Sequence, residues 1–224
     1  MTYYVLSATQ SEDCPISLVE DGVLYANKEQ ISDDFKYGYL PWYRYRSKND
    51  KFDLPKNGVL LLKSKNIKLS FRNIVADIYV VNEDMKDILE KYIKSNFIAV
   101  HVLNSNLEKY DDLNYYIFRF DYFLNFNEVV NLDESSYIVD EDDWIIVENI
   151  KILDGVDESL FKINKIDLVQ NTFFINENVK NEIEKIKPIG IKFFEVDRAK
   201  WSRTGDFSFL FLSPDEISKL VWAV

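Results

Sequence analysis

The sequence predicts an α+β protein with mixed or antiparallel sheets, few helices and two similar strand–helix–strand units. Three observations lead to this prediction. Runs of β-branched and aromatic residues recur along the 224-residue chain, as expected for strands. Two segments, NEDMKDILEKY and NENVKNEIEKI, are nearly the same and each follows a strand-like run. No Gly/Ser-rich or Pro-rich linker interrupts the chain, so we expect a single domain over residues 1–224.

The first part of the chain predicts short strands. TYYVLSA near the N-terminus is β-branched and aromatic, and VLYA follows Gly22. Further along, YLPWYRYRS has the strict alternation of a strand with two different faces, and its proline favours an edge position. Its residues are of the types enriched at binding hot spots, so it is either an amphipathic edge strand or a partner-binding surface formed by Trp42, Tyr43, Arg44, Tyr45 and Arg46.

The two similar units span residues 77–103 and 171–196. In each, a strand precedes an asparagine suited to cap a helix, acidic residues occupy the first turn, and apolar residues form one stripe. A second strand, FIAVHVL or IKFFEV, follows each helix. The units share the pairs Asn82/Asn176, Glu83/Glu177, Lys86/Lys180, Glu90/Glu184, Lys91/Lys185 and Ile98/Ile191. None of these residues is a nucleophile, so the repeat indicates architecture, with a chance likeness of two charged helix surfaces as the alternative.

The rest of the chain is predicted to be mainly strands. NYYIFRFDYF, SYIVD, WIIVENIKIL and LFKIN lie between the units, separated by polar loops. After the second unit, RAKWSRTGDF predicts a loop and FSFLFL a strand. The final SPDEISKLVWAV predicts a helix with Ser213 as its cap, Pro214 at its first position and Glu216 at its third.

Composition restricts the possible partners. The formal net charge of −11 disfavours binding to nucleic acid or an anionic membrane and favours a basic protein. Cys14 is the only cysteine, which is typical of a reducing compartment. The N-terminus lacks the pattern of a signal peptide, and no apolar run approaches the length of a membrane span. We therefore expect a soluble cytoplasmic protein and favour a monomer.

Residues that could carry catalysis are scarce. His101 is the only histidine and lies within an apolar strand, and Cys14 lies in a polar turn before a proline. No nucleotide-binding or hydrolase motif is present, so we expect no cofactor, no metal site and no enzyme activity. Acidic pairs such as Asp111–Asp112 leave a carboxylate-dependent hydrolase as one alternative, and a peptide- or small-molecule-binding regulatory module as another.

The segment VDEDDW is the second candidate binding surface. Four adjacent carboxylates repel one another, and no benefit to the fold is evident from the sequence. The segment is either a solvated turn before a strand or an acidic tip with an aromatic anchor, directed at a basic protein. Its residues are Asp140, Glu141, Asp142, Asp143 and Trp144.

Three stretches together resemble one known family. They are YYVLS followed by an acidic turn with CP, the unit DIYVVNEDMKDILEKY, and FFINENVKNEIEKIKPIGIKFFEV near the end. The last is similar to the bacterial immunity proteins of polymorphic-toxin systems (contact-dependent or type VI-type), in which a strand, a helix and a G-[IL]-x-F strand recur near the C-terminus. Gly190, Ile191 and Phe193 occupy those positions.

The resemblance implies a cytoplasmic protein that neutralises a cognate bacterial toxin by stoichiometric inhibition, without catalysis. Such families share no catalytic residues, and their toxin contacts diverge with the toxin. Combined with the acidic charge, this favours a basic toxin, such as a DNase or an RNase, as the partner.

Overall fold

The computed structural model describes residues 1–11, 13–15, 22–31, 53–75, 77–166, 173–201, 213, 215 and 220–221. The chain divides into two compact units, which we describe separately. Unit 1 comprises Met1–Thr9 and Asp121–Val224, and unit 2 comprises Gln10–Phe120. Both contain mixed or antiparallel sheets and few helices, which confirms the predicted α+β class.

The strands and helices of unit 1 surround one apolar core. Its five-stranded sheet has the order β13-β1-β12-β11-β8, antiparallel except for the parallel pair β11–β8. The pairs β9–β10 and β14–β15 form two further two-stranded sheets. The elements are β1 (Tyr3–Ala8), β8 (Phe123–Leu124), α2 (Phe126–Val129), β9 (Ser136–Val139), β10 (Ile145–Asn149), β11 (Leu160–Ile163), β12 (Phe174–Asn176), α3 (Glu177–Lys185), β13 (Ile191–Glu195), a 3₁₀ helix (Val196–Arg198), β14 (Lys200–Trp201) and β15 (Leu220–Val221).

Unit 2 has a six-stranded sheet with the order β2-β3-β6-β7-β5-β4. Strands β3 and β6 are parallel, and every other neighbouring pair is antiparallel. The elements are β2 (Gly22–Tyr25), β3 (Val59–Leu62), β4 (Phe71–Val75), β5 (Ile78–Asn82), α1 (Glu83–Leu89), β6 (Ile98–Leu103) and β7 (Tyr115–Arg119). No strand was predicted for β3 or β4.

Both predicted strand–helix–strand units are present, one in each compact unit. The side chain of Asn82 accepts a hydrogen bond of 3.0 Å from the Met85 amide at the start of α1. Asn176 accepts an equivalent bond of 3.0 Å from Val179 at the start of α3. Each asparagine satisfies one of the amides that a helix leaves unpaired at its N-terminus, which is why both helices begin where the sequence predicts.

The shared charges lie on the helix surfaces, as predicted. Lys86 pairs with Glu90 and Lys180 with Glu184, each at 2.8 Å and one helical turn apart. The buried faces carry the apolar stripes, with Leu89 among the buried residues of α1 and Ile183 and Val179 on α3. The repeated residues thus serve capping, surface pairing and packing.

The two strand–helix–strand units also resemble each other in a third strand, which lies outside the two similar segments of sequence. In each unit the two strands flanking the helix are separated by a central strand antiparallel to both, β7 in unit 2 and β1 in unit 1. These central strands begin with the same Tyr-Tyr pair. Tyr116 lies opposite Val81 and Tyr4 lies opposite Ile175. The helix lysine of each unit lies over that tyrosine, 5.2 Å from the Tyr116 ring and 5.0 Å from the Tyr4 ring.

The sheet register corrects one aligned pair. In unit 2, Ile98 lies opposite Ile117 on the central strand. The residue of unit 1 that corresponds to Ile117 is Val5, because each follows the Tyr-Tyr pair, and Val5 lies opposite Phe194. Ile98 therefore corresponds to Phe194, and its alignment with Ile191 was wrong. The segments between helix and strand differ in length between the units, and sequence identity alone does not reveal this offset.

Two further predictions need correction. The run NYYIFRFDYF is not one strand, because β7 ends at Arg119 and the separate β8 begins at Phe123, after the boundary between the units. The final segment is not helical throughout, because Leu220 and Val221 form β15, parallel to β14. The FSFLFL segment lies outside the described residues.

Candidate functional site

The acidic segment lies at the tip of an antiparallel hairpin formed by β9 and β10. Val139 pairs with Ile145 and Ile138 with Ile146, so residues 140–144 form the connection. The core-facing side of this hairpin is buried at Ile145 and Val147, whereas Asp140, Glu141, Asp142, Asp143 and Trp144 are all exposed. We call residues 136–149 the acidic hairpin.

Asp140 gives the tip its shape. Its side-chain Oδ1 accepts hydrogen bonds from the backbone amides of Asp142, at 2.9 Å, and Trp144, at 2.7 Å. Its own amide donates to the Trp144 carbonyl at 2.9 Å, and its carbonyl accepts from the Asp143 amide at 3.1 Å. An aspartate that bonds the amides following it in this way stabilises a turn. The expectation that the fold gains nothing from the acidic run is therefore wrong for Asp140.

The other three carboxylates differ in their contacts. Asp143 has a backbone φ of 62°, a left-handed conformation that aspartate tolerates better than most residues, and it pairs with Lys165 at 3.2 Å. Both side chains of that pair are largely exposed, so the pair contributes little stability. Glu141 and Asp142 have no ion pair within the described part of the chain and project their charges into solvent.

Exposed apolar side chains lie directly beside these charges. Alternation along the hairpin places Ile138 and Ile146 on the face opposite the core, and Trp144 lies immediately before β10. Ile138 is 54% exposed and Trp144 is 37% exposed, and Val139 at the end of β9 is 52% exposed. Trp144 is therefore a surface residue and not part of the core.

The hairpin is held to unit 1 by its inner face. Tyr137 packs edge-on against Phe126 with ring centroids 4.9 Å apart, and Ile145 and Val147 belong to the unit 1 core. The Ile145 amide also donates to the Lys165 carbonyl at 2.8 Å. One face of the hairpin is thus fixed, while the other presents apolar and acidic groups to solvent. The second candidate surface, formed by Trp42, Tyr43, Arg44, Tyr45 and Arg46, lies outside the described residues.

Cys14 and His101 lie in different environments within unit 2. Cys14 is fully buried and its Sγ accepts a hydrogen bond of 3.1 Å from Arg72. Burial raises the pKa of the Cys14 thiol, and the nearby Arg72 charge opposes that effect. His101 is exposed, and its amide donates to the Gly58 carbonyl at 2.9 Å. Among the described residues, no hydrogen bond joins the two side chains into a nucleophile–base pair.

The surface has several shallow depressions. One in unit 2, of about 430 Å³, includes His101 and Glu29 in its lining. Another, in unit 1 and of about 270 Å³, includes Asp154, Glu195 and Asp197 in its lining. Within the described ranges, no group of three or more histidine, cysteine, aspartate or glutamate residues could hold a metal ion.

Comparison with known proteins leaves the family of this chain open. No protein-family model matches it, and no curated protein shows significant similarity to it. None of the helices in the described part of the chain has the length and apolar character needed to span a bilayer. We choose the acidic hairpin as the candidate functional site because it combines exposed carboxylates with exposed apolar side chains.

Proposed function

We propose that this protein is an immunity protein that binds and neutralises a cognate bacterial toxin by stoichiometric inhibition in the cytoplasm. The observation that carries the proposal is the acidic hairpin, which presents the free carboxylates of Glu141 and Asp142 beside the exposed Ile138 and Trp144. Tryptophan is enriched among the few residues that dominate the binding energy of protein interfaces.

A basic toxin fits this surface best. The chain carries a net charge of −11, and its exposed apolar patch is flanked by carboxylates. Nucleases bind phosphates through lysine and arginine, and an acidic surface would accelerate encounter with such groups and cover them. A DNase or an RNase is therefore the partner class that we propose. The same charge disfavours nucleic acid and anionic membranes as direct partners.

Two other functions remain as alternatives. The three carboxylates of the unit 1 depression could serve a carboxylate-dependent hydrolase, which would act on its target catalytically. A regulatory module would instead bind a peptide or small molecule in a depression such as the one that contains His101. Neither depression has the exposed tryptophan and dense charge of the acidic hairpin.

Co-expression with the protein encoded immediately upstream provides the test. Stoichiometric inhibition predicts rescue of growth, co-purification as a complex, and loss of toxin activity that is complete at an equimolar ratio. Complete loss at a small fraction of that ratio would support the hydrolase instead. Cys14→Ala and His101→Ala variants should retain protection, because neither residue belongs to the hairpin.

Substitutions at the acidic hairpin test whether this is the surface that binds the toxin. Trp144→Ala should raise the dissociation constant roughly 30-fold, corresponding to about 2 kcal/mol for a hot-spot residue. Leu132→Ala is a matched control, since Leu132 is 39% exposed, lies in the same unit and precedes the hairpin. Equal weakening by both substitutions, or no effect of Trp144→Ala on a confirmed complex, would exclude the hairpin as the binding surface.

A further inference from the structure

The outer edge of β9 presents backbone groups that no described strand pairs. The Asp140 amide donates to the Trp144 carbonyl at 2.9 Å, so the backbone of Asp140 faces β10. Because the direction of hydrogen bonding alternates along a strand, Ile138 also faces β10, and the N–H and C=O groups of Tyr137 and Val139 point away from it. On the far side of β10, Ile145 already bonds to Lys165. The open edge of this hairpin is therefore on β9.

This edge lacks the charged side chains and the proline that commonly protect an edge strand from pairing. Strand β9 has the sequence SYIV, with no charge and no proline, and both Ile138 and Val139 are more than half exposed. By contrast β13, at an edge of the five-stranded sheet, carries Lys192 and Glu195 within five residues. Charged side chains on an edge strand discourage pairing, whereas an exposed, uncharged edge acts as a template for another strand.

We propose that β9 receives an extended segment of the partner as a third strand, and that this segment carries lysine or arginine where it passes the acidic tip. The inference rests on the proposed function for the identity of the partner, and on the edge geometry for the mode of binding. Main-chain hydrogen bonds to Tyr137 and Val139 would align the segment. Glu141 and Asp142 lie only two and three residues beyond Val139, so a paired strand that continues past β9 reaches their carboxylates.

Charge favours a basic partner over a second copy of this chain. Two copies paired through β9 would each bring a net charge of −11 to the interface. Their mutual repulsion opposes association, whereas a cationic segment is attracted to the same edge. The occupant is therefore a strand from another protein with basic residues.

A proline at the edge tests the backbone contact directly. Val139→Pro removes an outward-facing N–H and leaves the hydrogen bonds between β9 and β10 in place, as proline permits only at a sheet edge. Val139→Ala is the matched control, because it removes side-chain surface but keeps the N–H. The probe is a phage-displayed library of eight-residue peptides selected on the wild-type protein.

The inference predicts selection of alternating, β-branched peptides with lysine or arginine at one end. They should bind the Val139→Ala variant within a few-fold of wild type and the Val139→Pro variant at least about tenfold more weakly. Hydrogen exchange on the wild-type protein supplies a measurement that does not depend on how the variant folds. A bound peptide should slow exchange of the Tyr137 and Val139 amides, while the Ile138 amide is protected already.

Failure to select such peptides, or peptides that leave both outward amides unprotected, would overturn the inference. The upstream gene product provides a second arm. If it binds wild type and Val139→Pro equally, strand addition is wrong while the proposed function stands. If it does not bind wild type at all, the proposed function fails, and the peptide and exchange results alone decide whether β9 accepts a strand.

Discussion

The free carboxylates at the tip of the acidic hairpin should control how quickly the partner associates. The perturbation is the double substitution Glu141→Gln and Asp142→Asn, which removes two charges and retains side-chain size. Asp140 and Asp143 are left unchanged because Asp140 bonds two backbone amides and Asp143 pairs with Lys165. The fold should therefore be preserved, and slightly stabilised by the loss of repulsion between neighbours.

The expected magnitude follows from Coulomb's law. In water, a carboxylate about 10 Å from one partner charge contributes about 0.4 kcal/mol, so the two contribute about 0.8 kcal/mol together. Screening over that distance leaves roughly 0.6 kcal/mol at about 0.01 M salt and roughly 0.2 kcal/mol at about 0.15 M. Association should slow about threefold at the lower salt concentration and by less than about 1.5-fold at the higher one.

Stopped-flow association with a catalytically inactive variant of the proposed toxin, across a salt series, measures this effect. The double substitution Asp111→Asn and Asp112→Asn is the matched control, since it removes two exposed charges from unit 2. An unchanged association rate and salt slope for the hairpin variant would refute electrostatic steering by the tip. Equal slowing by both variants would attribute the effect to net charge rather than to the hairpin.

Three predictions concern stability and are measured by urea unfolding. Asp140→Ala should lower the free energy of unfolding by about 1 kcal/mol, because two backbone amides lose their acceptor. Asp140→Asn keeps an acceptor oxygen and should lower the free energy of unfolding much less. Equal losses for the two variants would contradict the turn-forming role of Asp140. Leu89→Asp should abolish folding by burying a charge at a position that is 2% exposed, while Glu90→Lys should cost only a few tenths of a kcal/mol. Burial, with a smaller contribution from a nearby aspartate, raises the pKa of Tyr79, so the contribution of Tyr79 to stability should be constant below about pH 10 and fall above it as the unfolded chain loses its phenolic proton. Above about pH 10, Tyr79→Phe should make the decline of the unfolding free energy shallower by up to about 1.4 kcal/mol per pH unit, and an identical slope would contradict the assignment.

Local signals in the sequence were sufficient for α1, for α3 and for the strands of the acidic hairpin, but they did not predict the short helix α2. Asn82 and Asn176 cap their helices through contacts within four residues, and such short-range chemistry is visible in a linear pattern. The acidic tip was predicted as a turn before a strand for the same reason. The contribution of Asp140 was not predicted, because it depends on how the tip folds back onto two specific amides.

Features that depend on pairing between strands far apart in the sequence were not predicted. Strand β3 pairs in parallel with β6, so its position depends on residues about forty positions away. The division of NYYIFRFDYF at Phe120 reflects the boundary between compact units, which no local pattern marks. The Tyr-Tyr pairs beginning at Tyr3 and Tyr115 were visible in the sequence and are the signal that could have identified the central strands.

The central strands of the two units come from different parts of the sequence, and this difference affects when each unit can fold during synthesis of the chain. In unit 2 the central strand β7 follows β6 closely, and all of its strands are made once Phe120 has been translated. In unit 1 the central strand is β1, and its partners β12 and β13 come from the other end of the sequence, with Tyr4 opposite Glu195. Unit 1 therefore has a much higher contact order than unit 2 and is expected to fold more slowly.

On the ribosome, the order of translation separates the two folding events in time. At typical elongation rates, the 75 residues between Phe120 and Glu195 take roughly 4–15 s to synthesise. Strand β1, which is almost wholly buried in the native sheet, lacks both of its neighbouring strands until β12 has been made, and it lacks β13 until Glu195 has been added. The nascent chain thus carries an apolar N-terminal segment that is open to chaperones or to misassociation until its last sheet partner has been made.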